Sequence, residues 1–329
     1  MMSPDPKASP LDYPHLRPLV VLLGPTAVGK TRLAIQLAQD LSAEIVSADS
    51  RLLYIGMDIG TAKPSLFERS LVPHHLIDVT SPDHIWSLAQ YQSAAVQAIA
   101  SIHQRNRLPI LVGGTGQYIH ALTQGWEIPP AAPDLALRHA LESWQDQIGF
   151  QALHDRLAHL DPVAASAIDP PNVRRTIRAL EVILSTGRLF SAQKGRSAPP
   201  YNILICGITR PRPELYQRID ERIHQMVHSG LVDEVKHLLA QGYSPSLPTM
   251  SAIGYGEIAA YLRGEITLEQ AVEQIKRRTR IFVRRQTNWF KPGDPSIQWF
   301  SAADDTLSRI EQVIRQWLNN ISDPLVPKS

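Results

Sequence analysis

One segment near the start of the chain has the residue types and spacing of a phosphate site. It reads Gly24-Pro25-Thr26-Ala27-Val28-Gly29-Lys30-Thr31, which is a glycine, four residues and then Gly-Lys-Thr. The glycines let successive backbone N–H groups turn toward phosphate oxygens at the positive end of a following helix. Lys30 can place its charge on the terminal phosphates, and the Thr31 hydroxyl suits Mg²⁺. The alternative is a Gly-rich turn that binds nothing, but the position after an apolar strand favours a P-loop.

One acidic residue could work beside this loop. Asp49 directly follows the apolar segment 44–48, which predicts a buried strand. Because neighbouring parallel strands end at a shared crevice, we expect Asp49 near the loop. Three roles stay open for it: a carboxylate in the shell of a metal, a general base, or the cap of a helix or turn. The loop motif alone also fits an ATP-dependent phosphotransferase or a nucleotide-driven switch.

Basic residues form two local groups in a chain that is almost neutral. The formal net charge is +2, so any basic surface must be local. Segment 276–285 holds six basic residues in ten and no acid, and Arg174, Arg175 and Arg178 form a second group. The alternative is a solvated cationic helix. In so neutral a chain, we interpret both groups as surfaces that contact the phosphates of an RNA.

The surrounding pattern predicts an α/β fold with two structural parts. Short apolar strands at 19–23, 44–48, 109–112 and 203–208 alternate with helices, which is typical of a parallel sheet. Segment 126–200 opens with prolines, shows no strand pattern and carries helical patterns at 135–144, 150–160 and 173–185. We therefore predict a P-loop parallel-sheet core (19–125 and 201–329), an inserted small helical domain (126–200) and a disordered leader (1–18).

The composition of the chain indicates the cellular compartment in which we expect the protein. The longest early apolar run, 19–23, is far too short for a signal peptide or a membrane span. The single cysteine, Cys206, excludes an internal disulfide and a Cys-rich zinc site and fits a reducing compartment. We expect a monomeric, cytoplasmic protein with no membrane partner.

Several motifs, taken in order over about 270 residues, resemble the tRNA dimethylallyltransferase (tRNA isopentenyltransferase) family. They are Gly24–Thr31, Ser47–Ser50, Gly56–Pro64, Pro73–Asp78, Gly113–Tyr118, Arg178–Glu181, Gly254-Tyr255, Thr279-Arg280, Arg284–Gln286 and Trp289. The string Gly56–Pro64 and the order of the set are the specific part, since a lone P-loop is common to many families. The resemblance implies transfer of a dimethylallyl group from dimethylallyl diphosphate to N6 of the adenosine just 3′ of a tRNA anticodon.

The resemblance also implies roles for particular residues. Asp49 would be the general base, with Thr26, Lys30 and Arg222 completing the catalytic set and Arg222 gripping the diphosphate. Residues 24–31 would bind the diphosphate or a nucleotide, with Mg²⁺ at Thr31. The positions expected to contact the anticodon stem-loop are Asp49, Ser50, Arg51, Leu52, Thr115, Arg138, Arg174, Arg175, Thr176, Ile177, Arg178, Ser251, Ala252, Ile253, Gly254, Tyr255, Gly256, Arg280, Arg284, Arg285 and Gln286.

The sequence departs from the family pattern at one expected contact. Leu52 stands where many members carry glutamine, which removes one polar group near the base or the loop. The chain also has no Cys and His set for the zinc finger that some relatives carry.

Overall fold

The computed structural model describes residues 12–128, 134–193 and 195–322. The chain divides into two compact units, each described by itself. The core unit comprises Met1–Trp86, Ser93–Ile119 and Pro200–Ser329. The helical unit comprises Ser87–Gln92 and His120–Pro199.

The described residues contain eight strands, thirteen α-helices and one short 3-10 helix, Ser191–Gln193; the strands and α-helices are numbered in chain order. The strands are β1 Pro18–Leu23, β2 Ala43–Ala48, β3 His74–His75, β4 Leu108–Gly113, β5 Trp126–Glu127, β6 Gly195–Arg196, β7 Asn202–Thr209 and β8 Ile297–Ser301. The helices are α1 Tyr13–Leu16, α2 Lys30–Asp40, α3 Leu66–Leu71, α4 Leu88–Gln104, α5 Gly116–Thr123, α6 Leu135–Leu160, α7 Pro162–Ser166, α8 Val173–Thr186, α9 Arg212–His228, α10 Leu231–Ala240, α11 Tyr255–Leu262, α12 Leu268–Gln286 and α13 Thr306–Ser322.

The core unit is built on one six-stranded sheet. Its order is β3-β2-β4-β1-β7-β8, and every pairing is parallel. All residues of β1 and β2 are buried, as expected for strands covered by helices on both faces. The parallel α/β fold class predicted from the sequence is therefore confirmed. Because the strands are parallel, the segments after β1, β2 and β4 emerge at the same edge of the sheet.

The helical unit packs α6, α7 and α8 around its own apolar core. That core includes Leu153, Leu157, Ile177 and Leu180, which are at most 4% exposed. The two helices predicted at 135–144 and 150–160 form one element, α6, with an interruption at Gly149 (φ 82°, ψ 160°). The only strands among the described residues of this unit, β5 and β6, form a short antiparallel pair that the sequence pattern did not indicate.

The structure corrects the predicted leader, 1–18, over its last seven residues. Asp12 caps α1 by accepting a hydrogen bond from the N–H of His15, Tyr13 is buried, and β1 begins at Pro18. Residues 1–11 lie outside the described residues. The predicted insertion, 126–200, also differs at its edges, because the helical unit begins at His120 and takes in Ser87–Gln92. The prolines that marked its start, at 129, 130 and 133, lie outside the described residues.

No helix in ranges 12–128, 134–193 and 195–322 has the length and apolar content needed to cross a membrane.

Candidate active site

The Gly24–Thr31 loop joins β1 to α2 and has the backbone of an anion-binding turn. Ala27 (φ 66°) and Gly29 (φ 110°) both adopt the left-handed conformation, and Gly29 is the N-terminal cap of α2. Alternating left-handed residues at the start of a helix form a concave row of N–H groups. The first N–H groups of α2 have no partner within the helix, so they are available to an anion.

Three cationic side chains bind the loop through its carbonyl oxygens. The contacts are Lys30 Nζ to the oxygens of Gly24 (2.8 Å) and Pro25 (2.9 Å), Arg218 Nε to that of Ala27 (2.9 Å), and Arg210 Nε to that of Val28 (3.1 Å). These bonds hold the carbonyl oxygens of the loop in place. Arg218 and Arg222 are one turn apart on α9, so they lie on the same helix face.

Two cations beside the loop have no ion pair with any described carboxylate. Burial is the largest influence on Lys30 and lowers its pKa to about 8, although the charge of Asp49 acts to raise it and that of Arg222 to lower it further. Burial likewise lowers the pKa of Arg222, against the opposing charge of Asp49. Removing a charge from water without a counter-ion is costly, even where hydrogen bonds are made. The pair Lys30 and Arg222 therefore forms a ready site for a polyanion.

Asp49 follows β2 and serves as a turn cap through one of its two oxygens. Its Oδ1 accepts a hydrogen bond from the N–H of Arg51 (2.9 Å). Oδ2 has no partner among the described residues, which leaves it able to accept a proton. The cap and the general base, which the sequence left as alternatives, are thus compatible. Thr115, in the segment after β4, supports the same turn, because its Oγ1 accepts a hydrogen bond from the N–H of Ser50 (3.1 Å).

Two cavities meet at Asp49. The larger, about 820 Å³, is lined by the loop residues Lys30 and Thr31 and extends toward α3. The smaller, about 390 Å³, is bounded by Thr115, Trp289 and apolar side chains of α9 and α12. Both are lined by Thr26, Asp49, Thr61, Arg222 and Met226. The predicted catalytic set Thr26, Lys30, Asp49 and Arg222 is thus brought to one place, with a chamber on each side.

The Gly56–Pro64 string forms a wall of this site and is held by α10 and α11. Glu234 accepts hydrogen bonds from the N–H groups of Asp58 (3.0 Å), Ile59 (2.7 Å) and Gly60 (3.1 Å), and from the Tyr255 hydroxyl (2.6 Å). A Cβ at Gly60 would lie 2.5 Å from the Tyr255 ring, so only glycine fits there. Glu234 did not stand out in the sequence, because it lies at least 174 residues from the backbone N–H groups that it binds.

The other core-unit residues that were predicted to contact tRNA fall into three groups: residues that line a cavity, residues that are exposed, and residues that are buried or paired. Those that line the smaller cavity are Ser50, Arg51, Thr115, Ala252, Ile253, Gly254, Arg285 and Gln286. Leu52 lines the larger cavity, and Ser251, Arg284 and Arg285 are exposed. Arg280 is bound to Asp220 (2.6 Å) and lies over the Tyr216 ring, so its charge is partly neutralised. Tyr255 is fully buried, Gly256 is half-buried, and Gln286 is buried between two loops.

In the helical unit, only some of the predicted positions reach the surface. Arg174 and Arg175 are exposed, whereas Thr176 (1% exposed) and Ile177 (4% exposed) face the core of the unit. These two positions are a correction to the predicted contact surface, since α8 turns them inward. Arg138 and Arg178 both bind the buried carboxylate of Glu181, at 2.8 and 3.0 Å. Burial acts to raise the pKa of Glu181, but hydrogen bonds from the two arginines outweigh it and lower this pKa.

The residues that hold the site together were not predicted from the sequence. Arg210 and Arg218, which bind loop carbonyls, were not singled out, although the four-residue spacing of Arg218 and Arg222 could have indicated a shared face. The contact from Gln286 to Thr26 spans 260 residues and has no sequence signal. Among the described residues no cluster of three His, Cys, Asp or Glu side chains could hold a metal ion.

A family model, curated relatives and solved structures all match this chain to the same family. The family model described as IPP transferase matches residues 52–293. A tRNA dimethylallyltransferase from Roseiflexus sp. (strain RS-1) is 49% identical over 302 residues, covering 92% of this chain and 99% of the relative. The crystal structure of the tRNA isopentenylpyrophosphate transferase from Bacillus halodurans is similar, with 42% identity, a TM-score of 0.69, and coverage of 93% of this chain and 98% of that one.

A more distant structure has the same fold. It is a eukaryotic dimethylallyltransferase acting on tRNA, with 27% identity, a TM-score of 0.79, and coverage of 92% of this chain and 80% of that one. The resemblance found in the motifs is confirmed by these matches, and the chain belongs to the IPP transferase family, the family of the tRNA dimethylallyltransferases.

Proposed function

We propose that this enzyme transfers a dimethylallyl group from dimethylallyl diphosphate to N6 of the adenosine 3′ of a tRNA anticodon and releases diphosphate. The observation that carries the proposal is the meeting of two chambers at Asp49. One chamber has the cations and N–H groups that a diphosphate requires, and the other is partly apolar and bordered by an aromatic ring. An enzyme that joins a small donor to a large acceptor needs this arrangement. Family membership supports the transfer to tRNA.

The donor chamber would act on the leaving group. Lys30, Arg222 and the N–H groups at the start of α2 lie where they can bind the diphosphate of the donor. As the bond from C1 of the donor to its oxygen breaks, negative charge grows on the diphosphate, and fixed positive groups stabilise that charge. Because both cations are half-buried and lack a counter-ion among the described residues, little reorganisation is needed when the charge develops.

Asp49 would act on the nucleophile. The N6 amine of adenine is weakly nucleophilic because its lone pair is delocalised into the ring. As the bond from N6 to C1 forms, a proton must leave N6, and the free Oδ2 of Asp49 lies at the junction of the chambers to accept it. The adenosine must leave its stack to reach this junction. Recognition would then combine loop shape, phosphate contacts and the unstacked bases.

Mg²⁺ fits this site as a companion of the diphosphate. Mg²⁺ commonly binds through one or two protein groups together with substrate phosphates and water. Thr31, exposed at the start of α2 and lining the donor chamber, offers its hydroxyl. The bound ion would neutralise part of the diphosphate charge. We also infer that the protein works as a monomer in the cytoplasm, where its tRNA substrate is available.

The proposal is tested by mass spectrometry of tRNA nucleosides. The purified protein is incubated with bulk tRNA lacking the modification, dimethylallyl diphosphate and Mg²⁺, and the tRNA is digested to nucleosides. We expect N6-dimethylallyladenosine, located by fragment analysis to the position 3′ of the anticodon. A matched reaction with ATP in place of the donor should give no product. Phosphate transfer from ATP without any prenylated nucleoside would contradict the proposal and favour a phosphotransferase.

A further inference from the structure

The last turn of α12 lies between two loops of the core unit, and one side chain touches both. Gln286 accepts a hydrogen bond from the N–H of Thr26 through Oε1 (2.9 Å) and donates one through Nε2 to the carbonyl oxygen of Gly114 (3.1 Å). It is 6% exposed. The amide thus joins the Gly24–Thr31 loop to the segment that follows β4, and both of its polar ends are used.

The side chains of Gln286 and Trp289 pack closely against the backbone of the segment that follows β4. A Cβ at Gly114 would lie 2.3 Å from Gln286 Nε2, and a Cβ at Gly116 would lie 2.2 Å from the Trp289 ring. The end of α12 therefore rests on bare backbone at two neighbouring positions. As a result, its distance from the Gly24–Thr31 loop is set by direct contact, and a movement of this turn is passed to the N–H of Thr26.

The same turn of α12 also carries two exposed positive charges. Arg284 and Arg285 directly precede Gln286 and are exposed, and neither forms an ion pair within the described ranges. Phosphates of a bound RNA that contact these arginines would fix the turn of α12 in place. The neighbouring residue along the helix would then hold Thr26, a residue that lines both chambers.

We propose that Gln286 is a positioning residue that couples the two substrates. Seating of RNA on the end of α12 fixes Gln286, and Gln286 orders the Gly24–Thr31 loop for the diphosphate of the donor. This inference rests on the proposed function. A loop that is ordered in advance loses less entropy when its ligand binds. The linkage is reciprocal, so the donor tightens RNA binding by the same factor by which RNA tightens donor binding.

The test uses Gln286→Met, which keeps the length and bulk of the side chain but removes both hydrogen bonds. Binding of inorganic diphosphate is measured by calorimetry with and without an anticodon stem-loop RNA, and donor KM and kcat are measured separately. In the unsubstituted protein, RNA should tighten diphosphate binding by about 5- to 150-fold. In Gln286→Met, RNA should change diphosphate affinity by no more than about twofold. Donor KM should rise about tenfold, and kcat should change less than about threefold.

Two further variants separate coupling from folding. Gln274→Met makes the same chemical change at an exposed position of α12 and should keep the full coupling factor. Gly114→Ala displaces the amide from the other side and should reproduce the coupling loss. Combining Gly114→Ala with Gln286→Met should add little to either single change, because both disrupt the same junction. If Gln286→Met does not fold, the coupling factor of Gly114→Ala decides the question.

Two results would overturn the inference. One is an unchanged coupling factor in folded Gln286→Met. The other is a loss of thermal stability with diphosphate affinity and donor KM unchanged per folded molecule, which would give Gln286 a purely structural role. Failure of the proposed function looks different, because the unsubstituted protein would then form no prenylated nucleoside, whether or not its Gly24–Thr31 loop binds diphosphate.

Discussion

Two groups of basic side chains, one in each unit, differ in whether a carboxylate compensates their charge. In the helical unit, Arg138 and Arg178 share the buried carboxylate of Glu181, so the charges inside that unit are compensated. In the core unit, Lys30 and Arg222 are half-buried beside the Gly24–Thr31 loop, and neither forms an ion pair with a carboxylate of the described residues. Buried charge without a counter-ion destabilises a fold unless something binds it. Arg138 and Arg178 therefore stabilise the fold, whereas Lys30 and Arg222 are available to an anionic ligand.

The largest effect should come from Asp49→Asn, which removes the carboxylate that acts on both Lys30 and Arg222. Asparagine keeps the size and can still accept a hydrogen bond from Arg51, but it takes no proton at neutral pH. We expect the single-turnover rate to fall by about two to four orders of magnitude, with diphosphate affinity retained or slightly increased. Rapid-quench kinetics and calorimetry measure the two quantities.

Asp233→Asn, an exposed substitution on α10, serves as the control and should stay within about threefold of the normal rate. Full recovery of Asp49→Asn at high Mg²⁺ would move Asp49 from the role of base to the shell of the metal. A near-normal turnover per folded molecule would leave it only as a turn cap.

The opposite side of the comparison is tested by Glu181→Gln. The substitution leaves Arg138 and Arg178 without their shared counter-charge, while glutamine still accepts a hydrogen bond. Because each arginine is about one-third exposed, solvent screens part of the loss, and we expect the free energy of unfolding to fall by about 1–3 kcal/mol. Denaturant unfolding measures the change. Glu142→Gln, on the exposed face of α6, should shift it by less than about 0.5 kcal/mol. A weaker diphosphate affinity in Glu181→Gln would contradict the conclusion that Arg138 and Arg178 only stabilise the fold.

The lowered pKa of Lys30 gives two pH dependences of opposite sign. Burial lowers this pKa to about 8 from the 10.5 of an exposed lysine. Between these values the unfolded chain holds one more proton than the folded chain, so this residue's contribution makes stability rise with pH, and below pH 8 its penalty is complete. Diphosphate needs the charged amine, so its affinity should fall about tenfold per pH unit above 8. Calorimetric titration from pH 7 to 10 measures this. If diphosphate affinity falls with pH equally steeply in Lys30→Met, ionisation of diphosphate itself causes the pH dependence and Lys30 does not.

The smallest effect should come from the exposed cations at the end of α12. Replacing Arg284 and Arg285 by glutamine should weaken RNA binding and reduce the slope of log K against log salt by about two, one for each phosphate that α12 no longer neutralises. Diphosphate affinity without RNA should not change. The control is Arg309→Gln, an exposed arginine on α13. An unchanged salt slope in the double variant would mean that these arginines are only a solvated helix face.

Local pattern was enough to predict the frame of the core unit. The apolar runs before Gly24, Asp49 and Gly113 predicted β1, β2 and β4, and the order of parallel strands then brought the following segments together. The elements α3 and β3 were not predicted, although Ser65 and Glu68 have the spacing of a capping box, which marks the start of α3. Helix α11 was also not predicted, since the Ser251–Gly256 segment was interpreted only as an RNA contact.

Burial and long-range contacts were the part that the sequence could not supply. Ile177 lies in an arginine-rich stretch, and only the packing of α8 shows that it faces inward. The bonds from Glu234 to the Gly56–Pro64 string and from Gln286 to Thr26 depend on tertiary structure. The predicted roles of Arg174, Arg175, Arg284 and Arg285 in RNA binding stay predictions.

Unfolding of Lys30→Met with and without diphosphate tests whether half-buried Lys30 is there to bind the diphosphate of the donor. The unsubstituted protein should gain stability from inorganic diphosphate as ligand binding requires. Lys30→Met should be at least as stable as the unsubstituted protein without ligand, gain nothing from diphosphate, and keep its RNA affinity within a few-fold. Lys236→Met, an exposed lysine change, should behave as the unsubstituted protein does. A Lys30→Met protein that is strongly destabilised, yet is still stabilised by diphosphate, would show that Lys30 stabilises the fold and does not bind the diphosphate.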